Sequence, residues 1–279
     1  TTVNSGTLDL GKTAGVTAVA GNIIIGNGAG TATTRLLANN QIADSAAVVL
    51  TAGGTPGLNL NGFTETIGSL ASTNTGATVQ LGAGSLTTGG SNASTSFAGV
   101  ISGTGSLTKE GTGNFTLSGA NTYTGTTAIT AGTLVVQNSS ALGSTAAGTT
   151  VSSGATLQLE NNVSVGAEAL TLTGALRNAS GTNAYGGAIS GTGTVTVDGG
   201  SLALTGASAN TYTGMTTVNS GTLDLGKTAG VTAVAGNLTI GSGSGSATAR
   251  LLASNQIGAS SDVALSAGGT PVLNLNGYT

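Results

Sequence analysis

The chain has no cysteine, no histidine and no tryptophan, and only one methionine and two prolines. Without cysteine there is no disulfide and no thiolate chemistry. Without cysteine and histidine there is also no ordinary zinc site and no Ser–His–Asp or Cys–His arrangement for nucleophilic catalysis. The nucleophile-elbow pattern G-x-S-x-G does not occur either. Charge is scarce: 5% of residues are Asp, Glu, Lys or Arg, against roughly 25% in ordinary globular proteins. The six basic residues are scattered, so no clustered positive face exists for nucleic acid. No run of 18 apolar residues suggests a transmembrane helix. The first residues lack a basic-then-apolar signal segment, and no series of amphipathic ten-residue strands closes the chain as an outer-membrane barrel. These two absences fit an internal fragment of a longer secreted protein, with membrane attachment only through a barrel domain that lies outside this fragment.

What the chain has instead is glycine, threonine, serine and short aliphatic alternations. Its 50 glycines and 2 prolines stay below the roughly 25–30% that marks low-complexity disorder. Apolar pairs two residues apart recur at Leu134/Val136, Leu157/Leu159, Val163/Val165, Leu170/Leu172, Val195/Val197, Leu202/Leu204 and Leu223/Leu225. Two residues apart on a strand means one shared face. Glycines such as Gly111, Gly113, Gly119 and Gly125 punctuate these runs, which reads as corners whose backbone angles glycine tolerates. With about three strands per loop of roughly 20–25 residues, the unit has the size of a solenoid coil.

Repetition dominates on two scales. The phrase ISGTGSLTKEGTGNFTLSGANTYTGTTAITAGTL, residues 101–134, is spoken again at 189–223. Over a longer period of 215 residues, positions 1–64 align without a gap with 216–279. The two differ at 15 positions, and 1–22 are identical to 216–237. The chain is therefore read as one continuous solenoid fragment, 1–279, holding a long tandem unit (1–215) and the start of the next (216–279).

The segment Gly105–Lys109 (GSLTK), followed by FTLSGANTYTG at 115–125 and GTL at 132–134, resembles the passenger-associated repeat of bacterial autotransporters. The second copy departs from it where TVTVDGG, 194–200, replaces the LTK phrase, so its lysine is given no role. The resemblance implies an all-β fold, a right-handed parallel β-helix, exposed extracellularly at the bacterial surface. At about 22 residues per coil the chain makes roughly 12–13 coils, and at about 4.8 Å per coil a rod on the order of 60 Å. A β-sandwich also suits short, evenly spaced strands, but it does not explain the recurrence of near-identical segments. No coil buries enough aliphatic surface to stand alone, since ordering costs about 1–2 kcal/mol per residue, so stability is expected from stacked neighbours.

Several motifs invite a sharper reading. Gly6–Thr13 (GTLDLGKT), repeated at Gly221–Thr228, matches the letters of the phosphate-binding loop G-x-x-x-x-G-K-[ST]. That loop must lead from a strand into a helix, whereas TLDL is itself an alternating strand with Leu8 and Leu10 inward and Asp9 outward. Lys12 is read as a solvated corner. The acids Asp9, Asp44, Glu65, Glu110, Glu160, Glu168, Asp198, Asp224 and Asp262 never sit two apart; stacking of coils is the remaining way to bring two together, as polysaccharide-cleaving β-helices do. Asp44 is Ala259 in the second copy. Asp198-Gly199-Gly200 has the wrong order for a calcium repeat. The Asn-x-Ser/Thr triplets at Asn92, Asn114, Asn138, Asn162 and Asn178 are expected by composition. Tyr123 and Tyr212, both in NTYTG, are read as corner tyrosines with wet hydroxyls; the alternative is a platform for sugar rings. Arg35–Ile42 is read as a strand turning at its asparagines. Gly82–Phe97 loses its alternation and is the longest candidate for an inserted receptor-binding loop.

The sequence thus points to a non-catalytic structural or adhesive segment, with no catalytic, cofactor or metal residues. Its expected partners are copies of itself through end-to-end β-stacking, and glycans of a host or surface. A carbohydrate-binding or polysaccharide-acting passenger is the alternative.

Overall fold

The computed structural model describes residues 1–28, 30–51 and 53–279. Among them every regular element is a β-strand, and all the named pairings are parallel. The chain divides into two units, Thr1–Ala147 and Gly148–Thr279. Each is a parallel β-solenoid whose paired strands lie 19 to 26 residues apart in sequence, as Thr156 with Ala175 and Gly6 with Ala32 show.

In the first unit three faces are stacked. One runs from Thr2–Val3 through Ile23–Ile25 and Ala47–Leu50 to Ser69–Ala71. It meets Thr95–Phe97, Asn114–Leu117 and Thr133–Val136 through a single bridge between Ser72 and Phe97. A second face stacks Gly6–Leu10, Thr31–Leu36, Thr55–Asn59, Thr78–Gln80 and Val100–Ser102. A third stacks Glu65–Ile67, Leu86–Thr88, Leu107–Lys109 and Thr127–Ile129. The second unit repeats this economy, with three strands per turn such as Leu170–Leu172, Ala175–Asn178 and Thr182–Tyr185.

The alternation explains the core. In Leu107–Lys109 and Asn114–Leu117 the residues at every second position are buried and the intervening ones face out. All seven apolar pairs named from the sequence are buried. Parallel stacking in register puts like on like: Phe115 lies beside Leu134 and Leu117 beside Val136, while Leu157 lies beside Leu176 and Leu176 beside Val195.

Three expectations change. First, Gly82–Phe97 is no inserted loop. It contains the strands Leu86–Thr88 and Thr95–Phe97, and Leu86 and Phe97 are fully buried. Its alternation is obscured because Thr88, a polar residue, takes an inward position.

Second, most punctuating glycines are required by close approach and not by backbone angle. Of Gly111, Gly113, Gly119 and Gly125, only Gly111 has a left-handed φ. A Cβ on Gly119 would run into the carbonyl oxygen of Gly99, and one on Gly125 into that of Gly105. The same collision repeats as a column, Gly84 on Phe63, Gly105 on Gly84 and Gly125 on Gly105, and in the second unit Gly193 on Gly174, Gly214 on Gly193 and Gly236 on Gly214.

Third, the lysine of the LTK phrase has a structural place. Lys109 is 1% exposed. Its ammonium donates to the carbonyls of Glu110 (2.7 Å), Gly111 (2.8 Å) and Ala131 (3.2 Å).

The Arg35–Ile42 reading agrees with the structure: Thr31–Leu36 is a strand, and Asn40 turns the corner at φ 53°, as Asn255 does at φ 58° in the second copy.

Candidate functional site

The two lysines of the GTLDLGKT octapeptides have opposite fates. Lys12 is exposed, and its ammonium donates to the Thr17 carbonyl at 3.2 Å. Lys227 is 1% exposed and ends the strand Gly221–Lys227. Its ammonium donates to the carbonyls of Gly187 (3.1 Å) and Thr205 (2.9 Å) in the coils beneath. Burial pulls its pKa down to about 8. The expected solvated corner is thus right for Lys12 and not for its twin. In both copies the lysine amide is taken by a glutamine side chain, Gln41 or Gln256, at 2.8 Å. In the second copy the strand runs on through Lys227, and in both copies the lysine amide is already occupied, so neither segment wraps a phosphate.

Tyr123 and Tyr212 are neither wet corners nor platforms. Both are fully buried, and their hydroxyls pair at 2.5 Å with the Thr127 and Thr216 hydroxyls, four residues on in the same motif. Burial pushes the Tyr212 phenol up to about 12. The asparagine of the same NTY phrase, which the sequence reading passed over, joins neighbouring coils. Asn121 accepts the Ile101 amide at 2.8 Å and donates to the Ala141 carbonyl at 2.6 Å. Asn210 does the same between Ile189 (2.9 Å) and Ala233 (2.7 Å). The only sequence signal for this role was the recurrence of NTY itself.

The acids do not gather. Asp9 and Asp224 are each held by a forked contact from an arginine one coil on, Arg35 (2.8 and 2.7 Å) and Arg250 (2.8 and 2.9 Å). The Arg35 hydrogen bonds hold Asp9 below the usual carboxylate range. Asp198 pairs with Arg177 at 2.5 Å, and Arg177 also donates to Gln158. The arginine side chains in these pairs are 43–46% exposed, so solvent screens each pair.

Two carboxyls are buried alone. Glu65 accepts the Gln41 and Ile42 amides at 2.8 and 3.3 Å, yet burial carries its pKa up to about 7. Glu168 accepts from the Thr149 hydroxyl at 2.8 Å and is also raised by burial. Its other oxygen and the nearby Tyr185 hydroxyl find no hydrogen-bond partner among the described residues. Neither carboxyl reaches solvent, so neither can meet a substrate. Among the described residues no three carboxylates converge as a metal site would need. A shallow groove lined by Val49, Thr51, Ala71 and Ser96 holds no ionisable group.

No helix among the described residues is long and apolar enough to cross a membrane. No curated protein matches the chain, and no solved structure does. The family model of the passenger-associated-transport-repeat matches residues 107–136 and 197–225. These segments hold Lys109, Tyr123 and Tyr212, and the second ends at Leu225, within the strand Gly221–Lys227. The chain is a β-solenoid that carries two passenger-associated-transport repeats, the repeats of autotransporter passengers.

Proposed function

We propose that this chain is a non-catalytic structural segment of a passenger displayed on the outside of the cell, in which stacked coils act as a stiff spacer for whatever the passenger presents. The observation that carries this reading is the use of its polar side chains. Asn121, Asn210, Gln41, Gln256, Lys109 and Lys227 all spend their hydrogen bonds on backbone groups, most of them in neighbouring coils. They do not converge on a solvent-facing point, as catalysis requires. The carbohydrate reading loses its aromatic platforms with Tyr123 and Tyr212 inside the core. Much of what faces outward is threonine, serine and asparagine, with single apolar side chains such as Leu37 and Met215 and the ion pairs of Arg35, Arg177 and Arg250 among them.

Two measurements test the reading. Antibodies to the segment should label intact cells that produce the parent protein; labelling only after lysis overturns surface display. The purified chain should release no reducing ends from a panel of polysaccharides, and cleavage of any of them overturns the non-catalytic role.

A further inference from the structure

Asparagine is followed by glycine at Asn27-Gly28, Asn61-Gly62 and Asn276-Gly277, the last being the second copy of the Asn61 turn. In such a pair the glycine amide nitrogen reaches the asparagine side-chain carbonyl with no Cβ in the way. A nucleophile and an electrophile are then held within one short ring. Whether they react depends on what else holds them, and the fold treats Asn27 and Asn61 differently.

Asn61 is locked. Its carboxamide donates to the Leu36 carbonyl at 3.2 Å, and the Gly62 amide donates to the Leu81 carbonyl at 3.1 Å, in the coils on either side. Asn27 lies in the corner between the strands Ile23–Ile25 and Thr31–Leu36 and is exposed. Among the described residues neither its carboxamide nor the Gly28 amide has a hydrogen-bond partner. This exposure is lateral, because coils flank the corner on both sides. The Gly26 amide donates to the Val3 carbonyl at 2.9 Å, and the Thr51 amide to that of Ile25 at 2.8 Å. Ser242, at the same place in the second copy, is exposed too. Packing fixes the glycine: a Cβ on Gly28 would lie 3.3 Å from the Asn4 carbonyl oxygen, and one on its twin Gly243 would collide with that of Asn219. The asparagine is not fixed, since the second copy builds the same corner with serine.

We propose that Asn27 is a site of spontaneous modification, deamidating through a cyclic imide while Asn61 is protected. The Gly28 amide gives its proton to solvent base, and its nitrogen attacks Cγ of Asn27. The new N–C bond closes a five-membered succinimide, and the side-chain nitrogen takes a proton from solvent and leaves as ammonia. Water then adds to one of the two ring carbonyls and breaks that carbon's bond to the ring nitrogen. Opening at the side-chain carbonyl gives aspartate, and opening at the main-chain carbonyl gives isoaspartate. Nothing is oxidised or reduced; one amide is exchanged for one carboxylate, which makes the chain one unit more negative than its formal −3. The modification falls on one copy of the long repeat and spares the other, because Ser242 has no side-chain carbonyl to attack.

The inference is independent of the spacer reading, and polysaccharide cleavage would sink that reading and leave this one standing. The test is incubation of the purified chain in mildly alkaline buffer made with heavy-oxygen water, followed by tryptic digestion and mass spectrometry. Cleavage at Lys12, Arg35 and Lys109 places Asn27 in the peptide 13–35 and Asn61 in 36–109, and fragmentation assigns the converted residue. Conversion at Asn27 should be about tenfold faster than at Asn61 or more, since two hydrogen bonds must break before Asn61 can cyclise. The product should be isoaspartate and aspartate together, each carrying one heavy oxygen, and the rate should rise with pH. In denaturant the two sites should react at similar rates, because only the fold distinguishes them. Asn27→Ser, which installs the residue of the second copy, should remove the signal from 13–35. Equal rates in the folded chain overturn the proposal, as do aspartate without isoaspartate, a rate that does not rise with pH, a rate difference that persists in denaturant, or conversion within 13–35 in Asn27→Ser.

Discussion

The Asn121 carboxamide accepts the Ile101 backbone amide at 2.8 Å across one coil, and its amide group reaches on to the carbonyl of Ala141 in the next. One side chain thus ties three coils at a place where the strand ladder is interrupted. Asn121 is 3% exposed and Ile101 fully buried, so water does not replace the bond.

Asn121→Ala strands that buried amide. An unpaired buried donor costs about 1–3 kcal/mol, so the denaturant midpoint of Asn121→Ala should fall by that amount of free energy, and Asn210→Ala by a similar one. Asn121→Asp keeps the acceptor but cannot donate to Ala141, and should also lower the midpoint. Unchanged midpoints in both alanine variants would show that the coils close without these ties.

The buried tyrosines should separate by their hydroxyls. Tyr123→Phe and Tyr212→Phe remove a partner from the Thr127 and Thr216 hydroxyls and should cost about 0.5–1.5 kcal/mol each. Tyr185→Phe deletes a hydroxyl that has no hydrogen-bond partner among the described residues, so it should be neutral or stabilising. Thermal melts of the three variants side by side check the contrast.

The glycine column gives a graded series. A methyl on Gly105 would overlap the Gly84 carbonyl, and backbone does not yield as a side chain does. Gly105→Ala should therefore cost more than about 3 kcal/mol, beyond ordinary overpacking. Gly154 has φ 79° and open space around it, so Gly154→Ala should cost only the left-handed strain of about 1–2 kcal/mol. Gly21 has neither constraint, and Gly21→Ala should be harmless. Soluble yield and melting temperature should rank in that order.

Buried ionisable groups set the pH profile. The folded pKa of Glu65, about 7, lies above its unfolded value of 4.5. The folded state therefore holds that proton more tightly, and the resulting stability is full below 4.5 and lost as pH rises toward 7. Lys227 is lowered from 10.5 to about 8. Its charged form is disfavoured in the fold, so stability is regained as pH rises from 8 to 10.5. A minimum near pH 7–8 is expected in denaturant midpoints, with the acid-side slope reduced in Glu65→Gln and the alkaline-side slope reduced in Lys227→Met. Glu65 alone accounts for about 2–3 kcal/mol of that slope at most. A flat profile from pH 5 to 10 would contradict it.

Much of the architecture was legible because a parallel solenoid has a local code. Leu134/Val136 or Leu202/Leu204 declare an inward face without reference to anything distant, and the recurrence of ISGTG and NTYTG declares the stacking. Glycine was legible as a marker and misread as to cause, since the oxygen that excludes a Cβ from Gly119 belongs to Gly99, in another coil.

By itself the sequence determined an all-β, repeating chain without thiol or imidazole chemistry, and its alternation chose which residues turn inward. The tertiary structure alone decided what the polar residues do. GTLDLGKT is one octapeptide written twice, yet Lys12 stands in water and Lys227 is buried on carbonyls of Gly187 and Thr205. The difference lies in the coil beneath, because desolvation and the carbonyls that compensate it come from residues far away in sequence.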